Sequence, residues 1–264
     1  MKIGAYSFVV TDDIPSNMEA IQRGVSRAAE QSVRLLVFPE CALTGYPKGG
    51  KSSSQVDMQA LEACFAKLQQ LSAQYGIYLL VGSVTRKHGE YHNSAILFSP
   101  NQRECELYHK RALWGWDRDN FSDGSPGGVW TIDGVTVGVR ICFEVRFPEY
   151  FRELYREKAK VVLVMFNDVS EIDDLARYEL IKAHLRTRAV ENVCTVISVN
   201  DASYHQTAPT AVIHENGEVI AELSRHTEEL LVYDYQPAGL SFGAEGRKTV
   251  SDRLTKRPRC TDQN

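Results

Sequence analysis

The stretch VTVGVRICFEVRFPEYFREL, residues 135–154, contains an informative pattern for both fold and function. It opens with a β-branched run typical of a buried strand and continues into a charged pattern typical of a helix. Cys142 stands at the junction, and Pro148 lies where a helix can begin. The pattern predicts a strand-to-helix turn that exposes the Cys142 thiol. The alternative is an inert buried cysteine, since free Cys is among the most buried residue types.

The same alternation of short apolar strands and helical patterns continues along the chain. Helical patterns fall near residues 17–30, 58–75, 149–157 and 175–191. The two adjacent strands VWTI and VTVGVRI have no helix between them, which argues against a simple Rossmann order. The Asn216-Gly217 pair predicts a hairpin. Together these patterns predict an α/β fold in which two mixed sheets pack face to face beneath outer helices.

Length and composition narrow the classes of protein. The 264 residues predict a single domain over 1–264, with residues 236–264 as a polar C-terminal tail that either crosses to a partner subunit or stays mobile. A net charge of -4, with no dense basic block before the last twenty residues, excludes nucleic acid as an expected partner. The segment MKIGAYSFVV resembles neither a signal peptide nor a membrane span, so we expect a cytoplasmic protein without membrane association.

Two further polar residues follow predicted strands in the way that Cys142 does. Glu40 ends the run RLLVFPE, and Lys110 follows ECELYH. A buried carboxyl has a raised pKa and can act as a general base, whereas an ammonium near a thiol stabilises negative charge. Taken alone, either residue is more readily interpreted as an exposed strand-end charge. Because open α/β sheets gather reactive groups at the carboxyl ends of their strands, we expect all three to share one site.

The segments LLVFPECALTGYP, YHKRALW and GVRICFEVRFPE resemble, in order and spacing, the signature blocks of the nitrilase superfamily, also called the carbon-nitrogen hydrolases. The similarity runs from Met1 to about Tyr235. It implies a four-layer αββα sandwich with two mixed sheets, and commonly a homodimer. It also implies that Glu40, Lys110 and Cys142 are the catalytic glutamate, lysine and nucleophile.

Supporting residues follow from the same resemblance. Many members carry a further glutamate between the lysine and cysteine blocks; the stretch WGWDRDNFSDG offers Asp117 and Asp119, and the count back from Gly124 favours Asp117. The Phe143 amide is a candidate oxyanion donor, while Glu144 and Arg146 stand where family members line or buttress the pocket. Arg146 is a candidate for binding a substrate carboxylate, with a structural ion pair as the alternative.

The remaining patterns set limits on the chemistry. His109 should point away from Lys110, and the spacing of His and Cys predicts no metal and no cofactor. The aromatic residues Trp114, Trp116 and Phe121 either form a pocket wall or pack in the core.

The expected function is hydrolysis of a small amide or N-carbamoyl compound through a cysteine thioester. The alternatives are a catalytically silent member that uses the fold for binding or regulation, and nitrile hydrolysis by the same residues. Within the family, Phe143 and the continuation FEVRFPE look more like the amidase and carbamoylase branches.

Overall fold

A computed structural model of the protein describes residues 1–102 and 104–255. Within these residues the strands are β1 (Lys2–Ser7), β2 (Leu35–Val37), β3 (Tyr78–Lys87), β4 (Glu90–Phe98), β5 (Glu106–His109), β6 (Val129–Ile132), β7 (Val135–Ile141), β8 (Val161–Met165), β9 (Thr195–Val199), β10 (Ala211–Ile213), β11 (Val219–Glu222) and β12 (Glu229–Asp234). The helices are α1 (Ile14–Glu30), α2 (Met58–Tyr75), α3 (Trp116–Asn120), α4 (Pro148–Arg156), α5 (Leu175–Asn192) and α6 (Phe242–Thr255).

The strands form two six-stranded mixed sheets. The first sheet has the order β12-β1-β2-β3-β4-β5, and the second has the order β11-β10-β9-β8-β7-β6. In each sheet the central strands are parallel and the outer strands antiparallel. Most antiparallel neighbours are consecutive strands joined without a helix, whereas β12 pairs with β1 from the far end of the chain. The strand pair at 129–141 is antiparallel, as expected from its missing helix.

Alternation along the strands divides the core into layers. One side of β8 presents Leu163 to a central core shared by both sheets, while the other side presents Val162 and Val164 to α4 and α5. A third core lies between the first sheet and the helices α1 and α2. The predicted four-layer αββα sandwich is therefore confirmed.

Local signals place the ends of the first two helices. Asp13 caps α1 by accepting a hydrogen bond from the Ser16 amide, and Asp57 caps α2 in the same way. Gly76 ends α2 in the left-handed conformation at φ 65°. The helix predicted near residues 58–75 has those bounds in the structure.

Two helices were not predicted. The short α3 lies inside the loop WGWDRDNFSDG, and α6 occupies part of the stretch that reads as a polar tail. Tyr155 of α4 donates a hydrogen bond to Asp252 of α6 over 2.6 Å, and Arg247 of α6 donates to the Val190 carbonyl of α5 over 3.0 Å. This part of the predicted tail is therefore a helix packed on its own chain. Residues 256–264 lie outside the described part.

No helix in the described ranges combines the length and the apolar character needed to cross a bilayer.

Candidate active site

The candidate site lies at the seam between the two sheets. Glu40 follows β2 of the first sheet, and its backbone amide donates to the Phe166 carbonyl after β8 of the second sheet, over 3.2 Å. Lys110 directly follows β5, and Cys142 directly follows β7. The carboxyl ends of strands from both sheets thus meet, as the sequence predicts for an α/β site.

The Glu40 carboxylate is buried and accepts hydrogen bonds through both of its oxygens. Its Oε1 accepts from Lys110 Nζ over 2.8 Å and from Asn93 Nδ2 over 2.7 Å. Its Oε2 accepts from the Asn167 backbone amide over 2.9 Å. Burial raises the pKa of Glu40, Lys110 lowers it and Asp117 raises it again, so the pKa stands above its ordinary value. A carboxyl in this environment is suited to accept and return a proton.

Lys110 lies between two carboxylates. Its Nζ is 2.8 Å from Glu40 Oε1 and 2.7 Å from Asp117 Oδ2, and all three side chains are at most 3% exposed. Burial lowers the pKa of Lys110, but Glu40, Cys142 and Asp117 together raise it well above its ordinary value. Lys110 is therefore a fixed cation rather than a proton donor.

Cys142 begins a 3₁₀ turn, Cys142–Arg146, with a left-handed backbone at φ 46°. A non-glycine residue in this region is strained, which is typical of functional turns. Burial and the Glu40 carboxylate raise the pKa of the thiol well above its ordinary value, while Lys110 lowers it. In the free site the effect of burial on the thiol pKa is therefore larger than that of the nearby ammonium. The thiol needs a base, and Glu40 acts on it electrostatically.

The structure separates the two candidate aspartates. Asp117 is buried, contacts Lys110 and accepts a hydrogen bond from the Tyr46 hydroxyl over 2.8 Å. Asp119 is exposed. Asp117 therefore occupies the place predicted for the second acid, and Tyr46 joins it to the loop that follows Glu40.

Of the residues predicted beside Cys142, Glu144 is the most firmly held. Its carboxylate accepts from the Tyr108 hydroxyl over 2.7 Å and from the Arg111 and Ile141 amides over 2.9 and 2.7 Å. Glu144 is fully buried, so its contacts tie the nucleophile turn to β5 and β7 and it buttresses the site.

Phe143 and Arg146 lie on the same turn and contact each other. The Arg146 guanidinium lies 5.7 Å from the centre of the Phe143 ring, and both side chains are partly exposed. Phe143 also packs edge-on against Phe147, with ring centres 5.2 Å apart. The Phe143 ring therefore holds the Arg146 guanidinium on the turn that carries Cys142, and this contact involves no carboxylate.

The remaining predicted residues lie around this centre. Phe121 packs with Val84 and Leu113 in a small apolar cluster, whereas Trp114 and Trp116 are exposed. His109 hydrogen-bonds Ser94 Oγ over 2.7 Å and stacks on His92, away from the Lys110 contacts. The expectation that His109 and Lys110 face apart agrees with this geometry.

Three contributors were missed by sequence reasoning: Tyr46, Asn93 and the Asn167 amide. Asn93 is a polar residue inside the apolar strand NSAILF, and Tyr46 belongs to the quoted block LLVFPECALTGYP, so both offered a signal. A backbone amide carries no sequence signal at all.

Among the residues that the structure describes, no group of three or more His, Cys, Asp and Glu side chains is placed to hold a metal ion.

A buried carboxylate, an ammonium and a thiol on an αββα sandwich define a cysteine hydrolase site. The family model described as carbon-nitrogen hydrolase matches residues 3–242. The chain belongs to this family and is a hydrolase of carbon-nitrogen bonds, as the sequence predicts.

Curated relatives include amidases, and a solved structure has the same fold. The omega-amidase NIT2 of Xenopus tropicalis is 25% identical over 271 residues, covering 97% of this chain and 95% of the relative. An (R)-stereoselective amidase of Pseudomonas sp is 30% identical over 166 residues, and the match covers 63% of this chain and only 58% of that protein. The structure of an amidase from Nesterenkonia sp. AN1 superposes with a TM-score of 0.80 at 24% identity, covering 96% of this chain and 99% of the other.

Proposed function

We propose that the chain hydrolyses the carbon-nitrogen bond of a small amide, with Cys142 as nucleophile, Glu40 as proton carrier and Lys110 as the cation that stabilises the oxyanion. The observation that carries the proposal is the buried contact of 2.8 Å between Glu40 and Lys110, which acts electrostatically on the Cys142 thiol. Amidases among the relatives, including the 2-oxoglutaramate amidase of Bacillus subtilis, support an amide as the substrate class.

In the acylation step, Glu40 takes the thiol proton while Cys142 Sγ attacks the amide carbon. The carbonyl oxygen becomes an oxyanion, which faces Lys110 and the backbone amide of Phe143. The carbon-nitrogen bond then breaks, and the proton on Glu40 leaves with the amine or ammonia. The products of this step are a thioester on Cys142 and an ionised Glu40.

In the deacylation step, the ionised Glu40 takes a proton from water, and the hydroxide formed attacks the thioester carbon. The carbon-sulfur bond breaks, and Glu40 returns the proton to Cys142. The acid product leaves and the free site is restored. A single carboxyl serves both steps, and the raised pKa that burial gives Glu40 favours both the uptake and the return of the proton.

The residues around this centre support the proposal. Asp117 is a second carboxylate in contact with the Lys110 ammonium, and Glu144 fixes the turn that carries Cys142. Arg146 lies beside the nucleophile, where it is placed to receive a negatively charged part of a substrate.

The test is ammonia release from a panel of short amides, ω-amides, N-carbamoyl compounds and nitriles. Cys142→Ala should abolish release, whereas Cys64→Ala, which removes a partly exposed thiol on α2, should leave it unchanged. If ammonia were released only from nitriles or only from N-carbamoyl compounds, the substrate would belong to that class instead of the amides. Silence of the wild-type protein across the panel would favour the binding or regulatory alternative.

We also propose assembly as a homodimer and a cytoplasmic location. Support for the dimer comes from apolar side chains left exposed on and before α5, namely Ile172, Leu175 and Leu180 at 72%, 56% and 49%. Light scattering on the purified protein should give twice the monomer mass, and Leu180→Asp should lower it. Val9→Asp, at a residue 51% exposed elsewhere, is the control. Cell fractionation tests the location.

A further inference from the structure

Tyr46 lies next to the catalytic centre and is hydrogen-bonded to Asp117. Its hydroxyl donates to Asp117 Oδ1 over 2.8 Å, and the other oxygen of the same carboxylate is 2.7 Å from Lys110 Nζ. Burial and the carboxylates of Glu40 and Asp117 raise the pKa of Tyr46, so the hydroxyl remains protonated and donates. The three side chains form a chain of contacts from tyrosine to carboxylate to ammonium.

We propose that Tyr46 is a positioning residue that holds Asp117 as the counter-ion of Lys110 while Glu40 carries the proton. This inference rests on the proposed function, in which Glu40 becomes neutral when it takes the proton of the Cys142 thiol. At that moment Asp117 is the carboxylate that still balances the buried Lys110 ammonium. An unbalanced buried ammonium would be costly.

The geometry explains why Asp117 needs a second partner. Asp117 lies in the five-residue helix α3, whose own length provides little rigidity. Its side chain reaches Lys110 with one oxygen, and Tyr46 fixes the other oxygen from the loop that follows Glu40. Without the hydroxyl, Lys110 alone compensates the Asp117 charge and is drawn towards it. The field of Lys110 at Cys142 and at the oxyanion then weakens.

The chain offers a matched control for this arrangement. On α5, the Tyr178 hydroxyl donates to Glu222 Oε1 over 2.7 Å, and Lys182 Nζ lies 3.0 Å from that oxygen. The residue types are the same, but the charges that act most strongly on Cys142, namely Glu40, Lys110, Asp168 and Asp117, include neither this carboxylate nor this lysine. Tyr178→Phe therefore measures the structural cost of losing such a hydroxyl.

The first measurement is steady-state amide hydrolysis. Tyr46→Phe should lower kcat about tenfold to a hundredfold, the effect of losing one hydrogen bond to a charged group, with little change in KM. Tyr178→Phe should leave kcat within about twofold of wild type. In an Asp117→Asn background, Tyr46→Phe should cost little more, because the charge that it positions is already gone. An equal loss of kcat in Tyr46→Phe and Tyr178→Phe would overturn the inference.

The second measurement needs no turnover and so separates this inference from the proposed function. The rate of Cys142 alkylation by iodoacetamide is followed against pH by peptide mass, with Cys142→Ala as the blank. Because Lys110 lowers the pKa of the thiol, Tyr46→Phe should move the alkylation profile to higher pH, and Tyr178→Phe should not. Silence of the wild-type protein on every amide would refute only the proposed function. An unmoved profile in Tyr46→Phe would refute the positioning role, whether or not the wild type hydrolyses an amide.

Discussion

At the residue scale, the two oxygens of the Glu40 carboxylate have different partners. Oε1 is shared by Lys110 and Asn93, while Oε2 receives only a backbone amide, from Asn167, among the contacts described. A carboxylate oxygen with a single donor keeps a lone pair for a proton. This arrangement makes Oε2 the oxygen that we expect to exchange protons with Cys142 and water.

Asn93 should therefore influence the pKa of Glu40. Its side-chain hydrogen bond lowers the pKa of Glu40 against the raising effect of burial, so Asn93→Ala should raise that pKa further. The acid limb of kcat/KM, which reports the ionisation of Glu40, should move to higher pH, and kcat/KM at neutral pH should fall about tenfold. Asn101→Ala, at an exposed residue, is the control for the pH-rate measurement. An acid limb at the wild-type position would show that Asn93 does not act on Glu40.

The sequence predicted Glu40, Lys110 and Cys142 because each stands at or just after the carboxyl end of a predicted strand, and strand ends in α/β folds converge. It favoured Asp117 over Asp119 only through the family resemblance, and the burial of Asp117 agrees with that choice. The partners of these groups were beyond prediction: Asn93 reaches Glu40 from another strand, and that distance depends on the register of the sheet rather than on local pattern.

At the element scale, strand β3 supports the turn that carries Glu40. A Cβ added at Gly82 would lie 2.2 Å from the Pro39 carbonyl oxygen and 2.5 Å from the Cys41 amide nitrogen. Gly82→Ala should therefore displace the turn, lower kcat/KM by at least about tenfold and reduce stability by about 1–3 kcal/mol. Gly246→Ala on the exposed face of α6, where nothing lies within 4 Å, should leave activity unchanged and stability equal or slightly higher. Normal activity and melting temperature in Gly82→Ala would contradict the close packing.

The strand pair β4–β5 carries a stacked pair of histidines, with the ring centres of His92 and His109 4.4 Å apart. Burial, His92 and Lys87 lower the pKa of His109 from its ordinary 6.5 to about 4. A lowered pKa means that the folded state binds the proton more weakly, so the wild type loses stability as pH falls from 6.5 towards 4. His109→Gln should reduce that loss by about 1–2 kcal/mol, less than the full linkage value because the ring is partly exposed.

The check is the free energy of unfolding in urea at several pH values, with His88→Gln in the exposed β3–β4 loop as the control. Parallel pH profiles for the wild type and His109→Gln would contradict a lowered pKa at His109.

The helices missed from sequence show why some elements resist prediction. Helix α6 buries only Ala244 and Ser251 among its residues, so no apolar stripe marks it in the sequence. Its position depends on polar contacts with α4 and α5, such as the bond from Tyr155 to Asp252. By contrast, α2 has both an aspartate cap and an apolar face, and its bounds were predicted correctly.

At the scale of the whole molecule, the site exists only where the two sheets meet. Glu40 and Lys110 come from the first sheet and Cys142 from the second, and Tyr108 of β5 crosses the seam to donate to Glu144. The central core between the sheets fixes their relative position. The geometry of the site therefore depends on the packing of this core. If the two sheets separated, Cys142 would move away from Glu40.

This coupling predicts a single unfolding transition for the described domain. Leu163 is fully buried in the central core, so Leu163→Ala should lower the free energy of unfolding by about 2–5 kcal/mol. The same decrease should be measured by tryptophan fluorescence and by far-ultraviolet circular dichroism. Val164→Ala, on the helix-facing side of the same strand, should shift the same transition by a smaller amount, since fewer atoms are removed. Leu163→Ala should also lower amide hydrolysis near its own melting temperature in proportion to the unfolded fraction. Two separate transitions in urea, of which only one moved in Leu163→Ala, would show that the sheets unfold independently and that the seam does not hold the site together.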